Sequence, residues 1–218
     1  MKKLTLLGAP IIALTLALTG CQSAYYSAME SVGVHKRDIL VDRVEATKES
    51  QEESQEEFQS ALERLTTLIN FDGGDLQAAY EQLNDDYESS LAAASDVTNN
   101  INKVEDVAEA LFEEWGDELE QYTNASLKRE SSKKLTATKR DFDKLLRSMR
   151  NAESKMEPVL SSLHDNVLYL KHNLNAQAVS AIQGEFTNLK RDIKVLMDDM
   201  NKSIADSNKF IEQMNKAG

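Results

Sequence analysis

The chain has 218 residues and a formal net charge of −12 at pH 7, with 37 acidic side chains against 25 basic ones. That length suits one domain with a sizeable core, and the acidic balance disfavours nonspecific nucleic-acid binding and any broad attraction to anionic lipid. Two prolines, eight glycines and one cysteine give no sign of a sheet and exclude an internal disulfide.

The first residues read as an export signal. Lys2 and Lys3 precede an apolar run from Leu4 to Leu18 that carries Gly8 and Pro10. The run is shorter than the about 20 residues that cross a bilayer. Leu18, Thr19, Gly20 and Cys21 then stand in lipobox order. This resembles the signal of exported bacterial lipoproteins, which implies cleavage before Cys21, a thioether to a diacylglyceryl group and an acylated new amino terminus. One acyl chain holds a protein marginally, whereas two or more anchor it stably. The same resemblance reads Gln22, which is not aspartate, as an outer-membrane sorting residue, facing the periplasm. Residues 1–20 are therefore assigned as signal peptide and 21–218 as a single helical-bundle domain. Losing Lys2 and Lys3 takes the net charge from −12 to −14.

The first predicted helix is apolar near both ends, at Ile39, Leu40, Val41 and Val44 and again at Phe58, Leu62, Leu65, Leu68 and Ile69. Between them, Glu45–Glu57 holds six glutamates, one lysine and a single apolar residue, Ala46. Such a segment is expected to leave the bundle thin or open at its middle. Its glutamates, Glu49, Glu52, Glu53 and Glu56 among them, read first as a solvated face and second as a docking face for a basic partner.

Three further helices follow from one spacing. Steps of four and three from Leu76 to Tyr122, from Leu135 to Leu170 and from Val179 to Met214 land mainly on apolar residues, with Asn166, Ser203 and Ser207 among the exceptions. A repeat near 3.5 keeps one stripe facing a partner helix, and flanking Val107, Leu160, Val167, Val195 and Ile204 widen the stripe beyond a two-stranded seam. The fold class is all-α, an elongated antiparallel bundle of about four coiled-coil-like helices. Breaks fall at Asn70–Asp75, at Thr123–Ser126 and, most weakly, at Asn173–Gln177. They give helices of roughly 40 to 47 residues, about 60 to 70 Å long, in up-down-up-down order. Pro158 is expected to bend the third. Asn166 and Asn173 continue its seam as register devices, or else line a small polar pocket.

Charge is arranged against the helix dipoles. Residues 105–120 carry eight acids and no base at the end of the second helix, whereas Lys128–Lys155 carries ten bases and four acids at the start of the third. Pairing across the turn explains both violations, with Glu109 opposite Arg140 and Glu120 opposite Arg129.

No reactive cluster emerges. His164 and His172 lie about two turns apart, too far to share a metal directly, and His35 stands alone. No HExxH, phosphate-binding glycine loop or GxSxG is present. The expectation is no catalytic site, no metal and no cofactor. Leu163–Gln177 is the densest mixture of polar groups with core residues, which makes His164, Tyr169 and His172 candidate interaction residues beside the glutamates of the first helix.

Tyr25–Phe58 and Leu163–Val179, together with NFDGGDL and ALFEEW, resemble the bacterial secreted or lipoprotein family catalogued as domain of unknown function 2959. The resemblance covers essentially the whole mature chain and brings no established activity or site residues. The leading functional expectation is a nonenzymatic envelope lipoprotein, held to the membrane through Cys21, that scaffolds or contacts an envelope protein. The alternative is a periplasmic chaperone or carrier holding apolar cargo between helices, with Met149, Met156 and Met200 as adaptable contacts. A membrane-shaping scaffold is the third reading. A homo-oligomer is compatible with the pattern; nucleic acid is not an expected partner.

Overall fold

The computed structural model describes residues 25, 26, 28–70 and 75–216, so the signal, the lipobox and Cys21 lie outside the described residues. Four long helices dominate: α1 (Lys36–Ile69), α2 (Leu76–Gln121), α3 (Ala125–His172) and α4 (Ala176–Lys216). Each packs on its sequence neighbour, and α1 also packs on α4, which closes an antiparallel ring. Helices of 34 to 48 residues are about 50 to 70 Å long at 1.5 Å per residue.

Side-chain caps mark three of the turns. Asp75 Oδ1 accepts from Ala78 N at 3.2 Å, Asn124 Oδ1 accepts from Ser126 N at 2.9 Å and Leu127 N at 3.2 Å, and Asn175 Oδ1 accepts from Ala178 N at 3.0 Å. Each cap satisfies amide donors that a helix start leaves without an intrahelical partner. The third break is thus real, and α3 ends at His172. α1 is shorter than the sequence suggests because Gly33 interrupts it. A backbone φ of +85° there favours glycine and separates the helical residues 28–31 from Lys36.

The repeated spacing is the core. Along α2 it is buried from Ser90 through Leu111, along α3 from Phe142 through Leu170, and along α4 from Leu189 through Met214. Asn166 is part of that buried seam, with its Nδ2 donating to the Ser162 carbonyl at 2.7 Å. Val195 is not a core flank; it is 43% exposed. Pro158 sits inside a continuous α3, where its missing N–H leaves the Ser154 carbonyl without a helical donor.

The middle of the bundle is closed, contrary to the thin region expected from Glu45–Glu57. Val44, Thr47, Gln51, Ser54, Phe58, Ala61, Leu65 and Leu68 are all buried, at alternating steps of three and four. Thr47, Gln51 and Ser54 hold the seam where no apolar residue does, and Glu49, Glu52, Glu53 and Glu56 point to solvent. Gln55 ties α1 to α4 through Asn201 Oδ1 at 3.2 Å and the Met197 carbonyl at 3.3 Å, which sets Gln51 level with Ser203.

Candidate functional site

The buried polar groups of the middle are local rather than reactive. Thr47 Oγ1 donates to the Arg43 carbonyl at 2.8 Å, Ser50 Oγ to the Thr47 carbonyl at 2.9 Å, and Ser207 Oγ to the Ser203 carbonyl at 2.9 Å. Ser54 Oγ lies 3.8 Å from Met156 Sδ. Both amide atoms of Gln51 and the hydroxyls of Ser148 and Ser203 make no hydrogen bond. A buried unpaired polar group costs about 1–3 kcal/mol, so this layer lowers stability while constraining which helices align.

The outer surface offers more to a partner. Between α2 and α3 runs a groove of about 900 Å³ whose apolar lining includes Leu91, Met156, Pro158 and Leu160. Leu91 is 46% exposed there. Tyr87 and His164 stack across one end with ring centroids 5.2 Å apart. Arg150 closes the other end: its Nη2 donates to Glu105 Oε2 at 2.6 Å and Asn102 Oδ1 at 2.8 Å, and its Nη1 to Glu153 Oε2 at 2.9 Å. Burial works against the Arg150 charge, but the hydrogen bonds to Glu105 and Glu153 prevail and raise its pKa further. Beyond this clamp the same face continues over Phe112, Phe142 and Leu146, with Phe112 and Phe142 edge to face at 5.5 Å and Lys139 Nζ 5.6 Å from the Phe112 ring centroid.

The residues singled out near the end of α3 separate onto different sides. His164 lines the α2–α3 groove. Tyr169, together with Asn166, Asp165 and Glu185, lines a cleft of about 450 Å³ between α3 and α4. Asn166 thus serves the seam and the rim of a small polar pocket at once. His172 is exposed on the last turn of α3, and Asn173 Nδ2 donates to the Tyr169 carbonyl at 2.9 Å. Glu49, Glu52, Glu53 and Glu56 form a solvated stripe on α1, remote in kind from these clefts.

Charge pairing across the α2–α3 turn is sparser than expected. Lys128 meets Glu120 at 3.0 Å and Arg150 meets Glu105 at 2.6 Å. Glu109 does not pair with Arg140, which lies 3.5 Å from its own neighbour Asp141, and Arg129 yields Glu120 to Lys128. Arg140 is exposed and reaches only Asp141, whereas Arg150 lies on the flank of α3 that faces α2. At the start of the bundle, Lys36 is 12% exposed and bonds both Glu30 and Glu114, the latter at 2.9 Å. The hydrogen bond from Lys36 lowers the Glu30 pKa. Burial opposes the Lys36 charge, yet its two carboxylate partners together raise its pKa.

Among the described residues no group of three or more His, Cys, Asp or Glu side chains is arranged to hold a metal, and no helix is long and apolar enough to cross a membrane. The architecture is that of an antiparallel four-helix bundle with a filled interior and its recesses on the outside. The chain belongs to the family described as "Protein of unknown function (DUF2959)", whose model matches residues 25–214. No curated protein matches the chain.

Proposed function

We propose that this protein is a nonenzymatic, lipid-anchored component of the bacterial cell envelope whose helical bundle works as a scaffold or protein-interaction module. The tether is Cys21, supported by the order Leu18-Thr19-Gly20-Cys21, and the position is the outer membrane, facing the periplasm, supported by Gln22 in place of aspartate. The observation that carries the interaction reading is the α2–α3 face. Its exposed Leu91, groove and clamp lie on the outside of a bundle whose interior is filled. A photocrosslinker at Leu91 in cells is expected to capture a defined envelope protein, whereas one at exposed Glu88 captures less. Equal, diffuse capture at both positions counts against the reading. Labelled palmitate should enter the chain and be lost in Cys21→Ser.

A carrier of apolar cargo is the second reading, supported by the apolar lining of the same groove and no longer by an open middle. Suppression of client aggregation that disappears in Leu91→Glu would favour it over the scaffold.

A further inference from the structure

The α2–α3 hairpin runs past the other two helices. The Lys36–Glu114 ion pair, at 2.9 Å, sets the start of α1 level with Glu114, and α2 continues to Gln121, about 10 Å further. The Phe142 and Phe210 rings, 6.0 Å apart, set the other side: α4 ends at Lys216, about 9 Å on, whereas α3 reaches back to Ala125, about 25 Å away. Trp115, Tyr122 and Leu127 of the hairpin, with the buried Leu111 and Met214, line a recess there. Tyr122 and Leu127 are exposed. Charge in the recess is balanced, with Arg37, Lys134 and Lys216 against Glu114, Glu118 and Glu130. The short helical stretch ahead of α1 adds exposed Tyr25 and Val32 at the same end. Tyr25 is edge to face with Tyr26 at 5.4 Å, and the Tyr26 ring centroid lies 5.9 Å from Lys36 Nζ.

We propose, on the reading of Cys21 as a lipid tether, that this end of the bundle sits on the headgroup interface of the membrane that holds the acyl chains, with Tyr25, Val32, Tyr122 and Leu127 against lipid. The length of the tether selects that occupant. Only Gln22, Ser23 and Ala24 separate Cys21 from Tyr25, and four residue steps span at most about 14 Å. A membrane that holds Cys21 therefore lies within that distance of Tyr25, and Tyr25 belongs to this end. The side chains it meets suit an interface. Tyrosines present an apolar ring and a polar tip, and the stems of Lys134 and Lys216 cover apolar surface while their heads reach water. Balanced charge in the recess makes the contact one of apolar partition, with no preference for anionic lipid.

The test uses the full chain, lipidated in cells and reconstituted into phosphatidylcholine vesicles that carry a nitroxide on the headgroup. Trp115 is the single tryptophan, so Trp115→Phe with Tyr122→Trp places one fluorophore at the hairpin, and Trp115→Phe with Tyr169→Trp places one at the opposite end. The nitroxide should quench the first and spare the second. Adding Val32→Glu and Leu127→Glu, both at exposed positions, to the first should abolish its quenching while circular dichroism shows an intact bundle. Including phosphatidylglycerol should not strengthen it. If Trp115→Phe fails to fold, the Tyr122→Trp and Tyr169→Trp signals are read against that of the unmodified chain. An unquenched hairpin, equal quenching at both ends, quenching that survives the two glutamates, or an unquenched hairpin in a chain that light scattering shows to be a dimer overturns the proposal. Palmitate labelling and sedimentation with vesicles report the tether separately. Both present without quenching overturns the docking alone; both absent overturns docking and tether together.

Discussion

The two halves of α1 obey one spacing with opposite chemistry. From Phe58 to Leu68 the seam is apolar and fully buried, whereas from Thr47 to Ser54 the same steps are filled by hydroxyls and an amide that are equally hidden from water. Periodicity decides whether a helix face packs; composition decides how much that packing contributes. The polar half holds its place because its neighbours on both sides do.

The largest break in that comparison is expected from Phe58→Ala. Deleting a fully buried ring costs about 3–5 kcal/mol, read as a lower urea midpoint for the helical signal. Gln51→Leu should act oppositely. It removes two buried, unpaired amide atoms, and unfolding should be harder by about 1–3 kcal/mol. If Gln51→Leu destabilises the chain as Phe58→Ala does, the amide has a partner in solution and the two halves are not equivalent frames.

The smallest effect concerns the start of α1. The lowered Glu30 pKa makes its contribution to stability present above the ordinary carboxylate range and lost as the pH falls through the depressed folded-state value. Raised Lys36 has the opposite sense, and its contribution disappears only as strong alkali removes its proton. Glu30→Gln should therefore remove a small contribution at neutral pH, flattening the acid limb of a stability-against-pH curve while leaving its acid end unchanged. An unaltered acid limb would show that other carboxylates govern it.

Most of the fold was legible in the sequence because apolar residues at steps of four and three name their own helix faces from Leu76 onward. The turns at Asn70–Asp75 and Thr123–Ser126 were legible too, as interruptions of that repeat. The α1 middle was not, since counting only apolar positions hides Thr47, Gln51 and Ser54, although they continue the walk from Val44 to Phe58 without a missed step. The surface features were harder still. Arg150 and Leu91 acquire their setting from a helix about 50 residues away in sequence, and charge composition alone does not distinguish Arg150, on the flank that faces α2, from exposed Arg140, which reaches only Asp141. The sequence pattern had also suggested one functional end at Leu163–Gln177; helical rotation between His164 and Tyr169 assigns them to separate clefts instead.

Ring closure has a consequence for reach. Arg37, Trp115, Lys134 and Met214 line one recess, so the beginning of α1, the turn between α2 and α3 and the close of α4 gather at a single pole. The hairpin at Asn173–Asn175 is at the other. On the proposed tether at Cys21, the far hairpin extends about 60 Å outward, a span that sets how distant a neighbour it can touch without moving its base.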